Sequence, residues 1–238
     1  MLPFLLLRRE ALLLLTFFLA TSVVAQTDPV LFAAHPEAQS AMDINEPLYN
    51  GKEHVYYHPS ILGIAYYVTA DWQPGTLVFN NVPYKDVFLK YDLVADELVL
   101  RHVNGMLSLV LFTPRIQQFT LGDRMFVNMA SDKEGKLKPG IYELLATGKL
   151  SLYAKRSKWI EEKTLSTSIE RKFITRDNFF LFKDGQYLTI KNPKSLFSLL
   201  GDQKSTAKAW FKESHIRFKD DPGAAFTKIV EHYNQTNR

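Results

Sequence analysis

Residues 87–92 (Val87-Phe88-Leu89-Lys90-Tyr91-Asp92) decide the predicted fold class. Because successive side chains of a strand point to opposite faces, the residues at 87, 89 and 91 share one apolar face. The same spacing recurs at Leu98 and Leu100, at Leu107, Leu109 and Leu111, and at Leu150, Leu152 and Ala154. Half-buried strands of this kind are typical of an antiparallel sheet.

Turn residues separate these strands. Asn104-Gly105 and Asp184-Gly185 favour a type I′ hairpin turn, in which both central residues have a positive φ, and Gly122-Asp123 favours type II′. Asn80-Asn81 marks a further reversal. Parallel strands need crossovers of a dozen or more residues, so connections this short predict an antiparallel meander.

The last part of the chain has a helical pattern. Asn192-Pro193 is a typical helix start and Gly201 a typical end, and Asp202 is predicted to cap a second helix. A third helix is predicted from Asp221-Pro222, with an apolar stripe formed by Phe226, Ile229, Val230 and Tyr233. We therefore predict an α+β fold, in which an antiparallel β-meander, sandwich-like or partly rolled, carries a C-terminal helical cap.

The sequence predicts four segments along the chain. They are a signal peptide at 1–25, an N-terminal linker or arm at 26–47, an antiparallel β domain at 48–191 and a helical cap packed on that domain at 192–238. Within the β domain, the highly charged residues 155–172 show no clear period. They are predicted to form a helical excursion or a mobile loop.

The N-terminus has the three parts of a secretory signal peptide. Arg8 and Arg9 precede an apolar run, residues 11–19, which is shorter than the roughly 20 residues that a membrane-spanning helix needs. Small side chains then predict cleavage between Ala25 and Gln26. An uncleaved membrane anchor is the alternative.

Amino-acid composition limits the cellular compartments and the classes of partner that we expect for this protein. The chain has no cysteine, which excludes disulfides and a lipoprotein's lipidated cysteine. With the signal peptide, this favours an exported protein, periplasmic or extracellular, and no membrane-spanning segment is predicted after cleavage. The net charge of +4 is too small to indicate a nucleic-acid partner. An envelope protein or a surface ligand is the predicted partner, and the oligomeric state is left open.

Several stretches carry a resemblance to a group of known proteins. They are Tyr91 to Val99, Gly140 to Leu145, Leu152 to Lys155, and an ending that runs from Gly185-Gln186-Tyr187 through Lys194-Ser195-Leu196 to residues 229–234. From about Leu48 onwards, the chain resembles exported, functionally uncharacterised proteins of Bacteroidota-type bacteria. The resemblance implies an envelope or secreted setting, and it implies no activity and no site residues.

No metal, cofactor or catalytic motif stands out in the sequence. His54 and His58 are four residues apart, but in an extended segment their side chains lie about 13 Å apart, too far for one metal ion. Ser195 belongs to no nucleophile motif and is predicted to bind the helix backbone. Ordinary structural roles are predicted for the acid pairs Asp96-Glu97, Glu161-Glu162 and Asp220-Asp221. The sequence therefore predicts no catalytic residue, no metal site and no cofactor.

Aromatic residues are concentrated in the first half of the predicted sheet. They are Tyr56, Tyr57, Tyr66, Tyr67, Trp72, Phe79, Tyr84, Phe88 and Tyr91. Because aromatic residues often fill the cores of β proteins, we expect most of them to be buried. Trp72, close to Pro74-Gly75, is the expected exception, since an exposed ring can stack on a sugar or anchor a partner.

Two classes of function follow from these features. The sequence favours a non-enzymatic module that binds a partner or ligand through a sheet face, a sheet edge or charged loops. The alternative is a hydrolase acting on envelope polymers, with a site assembled from scattered Asp, Glu, His or Ser residues. A cleft with strongly shifted pKa values would favour the hydrolase, and a continuous exposed aromatic or apolar patch would favour the binding module.

Overall fold

In the computed structural model, which describes residues 39–40 and 47–237, twelve strands form one sheet and three α-helices follow them. The strands are β1 (Gln39–Ser40), β2 (Lys52–Glu53), β3 (Gln73–Phe79), β4 (Val82–Asp92), β5 (Glu97–Arg101), β6 (Ser108–Val110), β7 (Ile116–Leu121), β8 (Arg124–Met129), β9 (Gly140–Ala146), β10 (Ser151–Thr164), β11 (Ile169–Lys183) and β12 (Gln186–Ile190). The helices are α1 (Pro193–Leu199), α2 (Lys204–Glu213) and α3 (Pro222–Thr236). The predicted signal peptide, its cleavage site at Ala25 and Gln26, and most of the 26–47 arm lie outside the described residues.

The sheet is open and mostly antiparallel, in the order β12-β11-β10-β9-β8-β7-β3-β4-β5-β6-β2, with β1 paired in parallel to β4. Most neighbours in the sheet are also neighbours in the chain, which confirms the predicted meander with C-terminal helices. Lys158 in β10 donates its backbone N–H to the carbonyl of Leu93, just after β4, at 2.8 Å. Since four strands separate β10 from β4 in the sheet order, the sheet curves enough to bring them together.

Three of the four predicted tight turns are confirmed. Asp184-Gly185 and Asn80-Asn81 both have two positive φ values, as type I′ requires, and at Gly122-Asp123 only the glycine does, as in type II′. The prediction at Asn104-Gly105 was wrong, because Arg101 and Ser108 are the last paired residues and the loop is longer. The side chain of Asn104 accepts from the backbone N–H of Met106 at 2.9 Å, which widens the turn.

The predicted irregular segment 155–172 is instead a regular hairpin. β10 and β11 pair without interruption from Ser151 and Phe182 to Thr164 and Ile169. Charged residues occupy both faces of its outer half, so the period-2 pattern of a half-buried strand is absent there. Ion pairs join the two strands there instead of apolar contacts, at 3.3 Å between Lys172 and Glu161 and at 2.8 Å between Arg171 and Glu162.

The helices begin where their caps predict, with one exception. Asn192 accepts from the backbone N–H of Ser195 at the start of α1, and Asp221 accepts from that of Ala224 at the start of α3, both at 2.9 Å. Asp202 was wrongly expected to cap α2, because it lies in a 3₁₀ turn and makes no capping bond. Among the described residues, no helix is long and apolar enough to cross a membrane.

Three apolar cores are present among the described residues, and the third, around Tyr142 and Phe180, is much smaller than the other two. The first core lies among β3–β9 around Tyr91, Phe119 and Phe126, whose rings contact one another. The second core joins the three helices to β9–β12, with Leu181 on the sheet and Phe226 of the predicted α3 stripe both buried. Burial of these apolar side chains holds the helices against one end of the sheet.

Candidate ligand-binding site

A cleft of about 900 Å³ opens between the sheet and the beginning of α3. Its walls include Pro222 and Gly223 at the start of α3, and also Tyr67, Val68 and Leu93. The volume lies within the range that is typical of small-molecule sites. Strands β8–β11 supply the floor.

Charged side chains from four strands meet at this floor; three of them line it, and the fourth, Glu143, is fully buried. Arg124, Glu143, Arg156 and Asp177 come from β8, β9, β10 and β11, which are consecutive strands of the sheet. The antiparallel register places Arg156 directly opposite Asp177, and cross-strand partners share a face. We call this site the arginine cleft.

Buried Glu143 organises the arginine cleft. Its Oε1 accepts a hydrogen bond from the Tyr67 hydroxyl at 3.0 Å and lies 3.5 Å from Nη1 of Arg124. Its Oε2 accepts from Nε of Arg156 at 2.6 Å. One carboxylate therefore fixes a tyrosine and two guanidinium groups, as a buried charge requires.

Arg156 has bonding capacity left over. Its Nε is bound to Glu143 and its Nη1 to Asp177, while its Nη2 has no hydrogen-bond partner among the described residues. Burial by itself would lower the pKa of Arg156, but Glu143 and Asp177 together raise it, so the guanidinium stays charged. A Cβ on Gly223 would come within 3.3 Å of Nη2, so glycine leaves room for this group.

The acidic residues at the rim of the cleft have partners within the protein, and for Asp123 that partner is Arg124 of the cleft itself. These are Asp123 with Arg124 (3.6 Å), Asp220 with Arg217 (3.4 Å), Glu231 with Lys228 (3.2 Å) and Asp221 with the backbone of α3. Oδ1 of Asp177 is buried without a hydrogen-bond partner among the described residues. The charged donors that remain for a ligand include Nη2 of Arg156 and the exposed side of Arg124, and guanidinium groups suit a planar oxyanion.

Val68, beside Tyr67 in the wall, has a strained backbone. Its φ is +60° and it is 72% exposed, which is unusual for a β-branched residue. The chain around it is held by Tyr67 and by the Lys158 ammonium, which donates to the carbonyls of Ile64 and Tyr66 at 2.8 Å. Strain that the surroundings hold in place is common at ligand sites.

A second cluster surrounds Lys90 in the middle of β4. The rings of Tyr56, Tyr66 and Trp72 lie 5.7, 5.2 and 4.4 Å from its Nζ. Lys90 is only 8% exposed, and it makes no hydrogen bond or ion pair among the described residues. Burial lowers its pKa, against the opposing charge of Asp71. We call these four side chains the Lys90 cluster.

The aromatic residues of the first half divide between core and surface. The expectation that most are buried is confirmed, for Tyr66, Tyr67, Phe79, Tyr84 and Tyr91. Trp72 was expected to be exposed, but it is half-buried against Lys90. Tyr57 is also half-buried. Tyr56 and Phe88 are more exposed, at 54% and 44%.

The residues that the sequence singled out for chemistry have local roles. His54 is buried with its Nε2 2.8 Å from the Tyr66 hydroxyl, whereas His58 is exposed and bonded to Ser60. Burial lowers the pKa of His54, against the opposing charges of Asp92 and Glu97. Ser195 completes the cap of α1.

The acid pairs also lie outside the arginine cleft floor. Asp96 accepts from the hydroxyl of Tyr91 and from the ammonium of Lys155, and Glu161 and Glu162 pair across the β10–β11 hairpin. Within residues 39–40 and 47–237, no group of three His, Asp or Glu side chains could hold a metal ion.

Sequence reasoning missed Glu143. The one feature that marked it is its position as a lone acid in the apolar run from Ile141 to Leu145, where a charge needs a buried partner. Its partners Tyr67 and Arg156 lie 76 and 13 residues away in the chain. No protein-family model, curated protein or solved structure matches this chain.

Proposed function

We propose that this protein is an exported, non-enzymatic binding module of the cell envelope, which binds a carboxylate-bearing ligand in the arginine cleft. The supporting observation is that buried Glu143 holds both Arg124 and Arg156, while Nη2 of Arg156 keeps free donors. Guanidinium groups that are already fixed lose little conformational entropy when a ligand binds. The site is therefore preorganised for an oxyanion.

A carboxylate suits this site better than a more highly charged anion. The planar fork of a guanidinium matches the two oxygens of a carboxylate. Asp123 and Asp220 at the rim would repel a polyanion such as a nucleic acid. The carboxylate can belong to a peptide C-terminus or to an acidic sugar, since both present the same group.

The alternative, a hydrolase of envelope polymers, has less support. A glycosidase-type site needs one carboxyl group that gives a proton and a second that acts as base or nucleophile. Glu143 and Asp177, the two carboxylates in contact with Arg156, both accept hydrogen bonds from it. A carboxylate engaged in this way is not available to donate a proton.

Calorimetric titration of the purified protein tests the proposal. The ligands are a short peptide with a free C-terminal carboxylate, the same peptide amidated, an oligosaccharide with a terminal uronic acid, and its neutral counterpart. We expect binding of one or both acids and loss of binding with the matching neutral form. The two acids distinguish a peptide source from a saccharide source.

Variants locate the binding site. Arg124→Gln should weaken binding about tenfold or more, since a charge-assisted hydrogen bond is lost. Arg171→Gln is the matched control, because Arg171 is a similarly exposed arginine paired with one glutamate outside the cleft. Equal affinity of both variants and the wild type would contradict the proposal. Fractionation of cells that produce the tagged protein tests export separately.

A further inference from the structure

We propose that the Lys90 cluster is a second binding site, and that its ligand is a neutral saccharide. This inference goes beyond the carboxylate site, and it uses different residues. Lys90 lies between Leu89 and Tyr91, whose side chains fill the first core. Because side chains alternate along a strand, Lys90 points to the opposite face of the sheet.

The ammonium of Lys90 has donors to spare. The residue is 8% exposed, its Nζ lies over three aromatic rings, and it makes no hydrogen bond or ion pair among the described residues. The Nζ atom itself is not among the fully buried unpartnered atoms of the described residues, so it reaches the surface and its N–H donors are open to an acceptor. The aromatic rings around the Lys90 ammonium limit which ligands can reach it.

The surrounding rings are held in place and partly accessible. The hydroxyl of Tyr56 is bonded to Oγ of Ser108 at 2.6 Å, although the residue is 54% exposed. Trp72 is half-buried against Lys90. Phe88, two residues before Lys90 on the same face of β4, is also exposed, and Arg101 lies over its ring. Aromatic faces therefore adjoin free N–H donors.

A sugar ring combines the two properties that this surface requires. One face of a pyranose exposes C–H groups that pack on an aromatic ring, and its hydroxyl oxygens accept hydrogen bonds from an ammonium. An apolar ligand would leave the ammonium without an acceptor. The ring faces of Tyr56, Tyr66 and Trp72 carry partial negative charge and would repel an anion, so the ligand that we propose is neutral. The negative charge of Asp71 acts in the same direction.

The experiment titrates the purified protein with neutral oligomers of hexoses and of N-acetylhexosamines, followed by calorimetry and tryptophan fluorescence. We expect at least one oligomer to bind. Lys90→Met removes the donors but keeps an unbranched apolar side chain among the rings, and Trp72→Leu removes one ring. Each should weaken binding about tenfold or more.

Controls separate this site from other surfaces. Trp159→Leu removes an exposed tryptophan of β10 and should leave the affinity unchanged. Arg124→Gln should also bind the saccharide with wild-type affinity. The proposal of a saccharide site can therefore be rejected without rejecting the proposal of a carboxylate site in the arginine cleft, and the reverse. Tyr56→Ala, at an exposed position, repeats the test if Lys90→Met does not fold. Failure of every oligomer to bind, or wild-type affinity in folded Lys90→Met and Trp72→Leu, would overturn the proposal.

Discussion

Tyr66 and Tyr67 are adjacent in the chain, yet their hydroxyl groups reach two different polar sites. The Tyr66 hydroxyl lies 2.8 Å from Nε2 of His54, and the Tyr67 hydroxyl donates to Glu143 at 3.0 Å. Tyr66 pairs with Asp92 in an isolated bridge and the chain bends at Tyr67, so the two neighbouring side chains reach different partners. One short segment therefore helps to build both the Lys90 cluster and the arginine cleft.

Removal of the Tyr67 hydroxyl should cost more stability than removal of the Tyr66 hydroxyl. Tyr67→Phe loses a hydrogen bond to a buried carboxylate, which is worth about 1.5–3 kcal/mol, whereas Tyr66→Phe loses a bond to a neutral imidazole, worth about 0.5–1.5 kcal/mol. Urea denaturation of both variants and the wild type measures the two losses. The reverse order would show that Glu143 does not depend on Tyr67.

Loss of the Arg156 guanidinium should be strongly destabilising. Arg156→Met leaves Glu143 buried with its main cationic partner gone, so we expect a loss of about 3–5 kcal/mol in the free energy of unfolding. Arg124→Gln is the comparison, because that side chain is about half exposed and should cost less than about 1 kcal/mol. Chemical denaturation gives both values. Similar small losses would contradict the central role assigned to the buried pair.

The stability of the protein should fall as the pH is lowered below 6.5, and His54 should contribute to that fall. Burial lowers the pKa of His54 in the folded state, so the unfolded chain binds the proton more readily. The contribution is fully present above pH 6.5 and is lost as the pH falls towards the folded-state pKa. Asp92, Glu97, Lys90 and Lys52 interact with this imidazole and set the size of the effect.

Unfolding in urea at pH 7.5 and pH 5.5 measures this dependence. His54→Gln keeps an acceptor for the Tyr66 hydroxyl but does not titrate, so its stability should change less between the two pH values. His58→Gln, at an exposed histidine, should behave like the wild type. An unchanged pH dependence in His54→Gln would contradict the prediction.

Gly148→Ala should destabilise the protein more than Gly185→Ala. Both glycines have a positive φ, +147° at Gly148 and +78° at Gly185, so alanine strains the backbone at both positions, by about 1–2 kcal/mol at Gly185 and by more at Gly148. At Gly148, a Cβ would also lie 2.7 Å from the side chain of Asn234, which bonds α3 to the β9–β10 turn at Thr147 and Leu150. We expect an additional loss of about 1–3 kcal/mol.

Thermal and urea unfolding compare the two glycine variants. Space is open around Gly185, so Gly185→Ala measures the cost of a positive φ without a side-chain clash. Equal losses in the two variants would mean that Asn234 adjusts without cost.

Local features were predicted correctly where a few neighbouring residues decide the conformation. Asp184-Gly185 forms the expected tight turn because both residues tolerate a positive φ, and Asp221 caps α3 because its carboxylate reaches a backbone N–H three residues away. Residues 155–172 were predicted wrongly because an exposed hairpin needs no apolar face. Its strands are held by pairing with each other, which periodicity does not reveal.

The sequence by itself determined the alternating strands, most of the turns and the start and apolar stripe of α3, since these depend on backbone preferences and on the periodic burial of side chains. Only the tertiary structure decided which charged and aromatic residues meet. Tyr67, Glu143 and Arg156 are brought together by strand order and register, and the rings around Lys90 by the path of residues 54–72 across β4. Contacts between residues distant in the chain depend on how the whole sheet curves and packs, because no local preference encodes them.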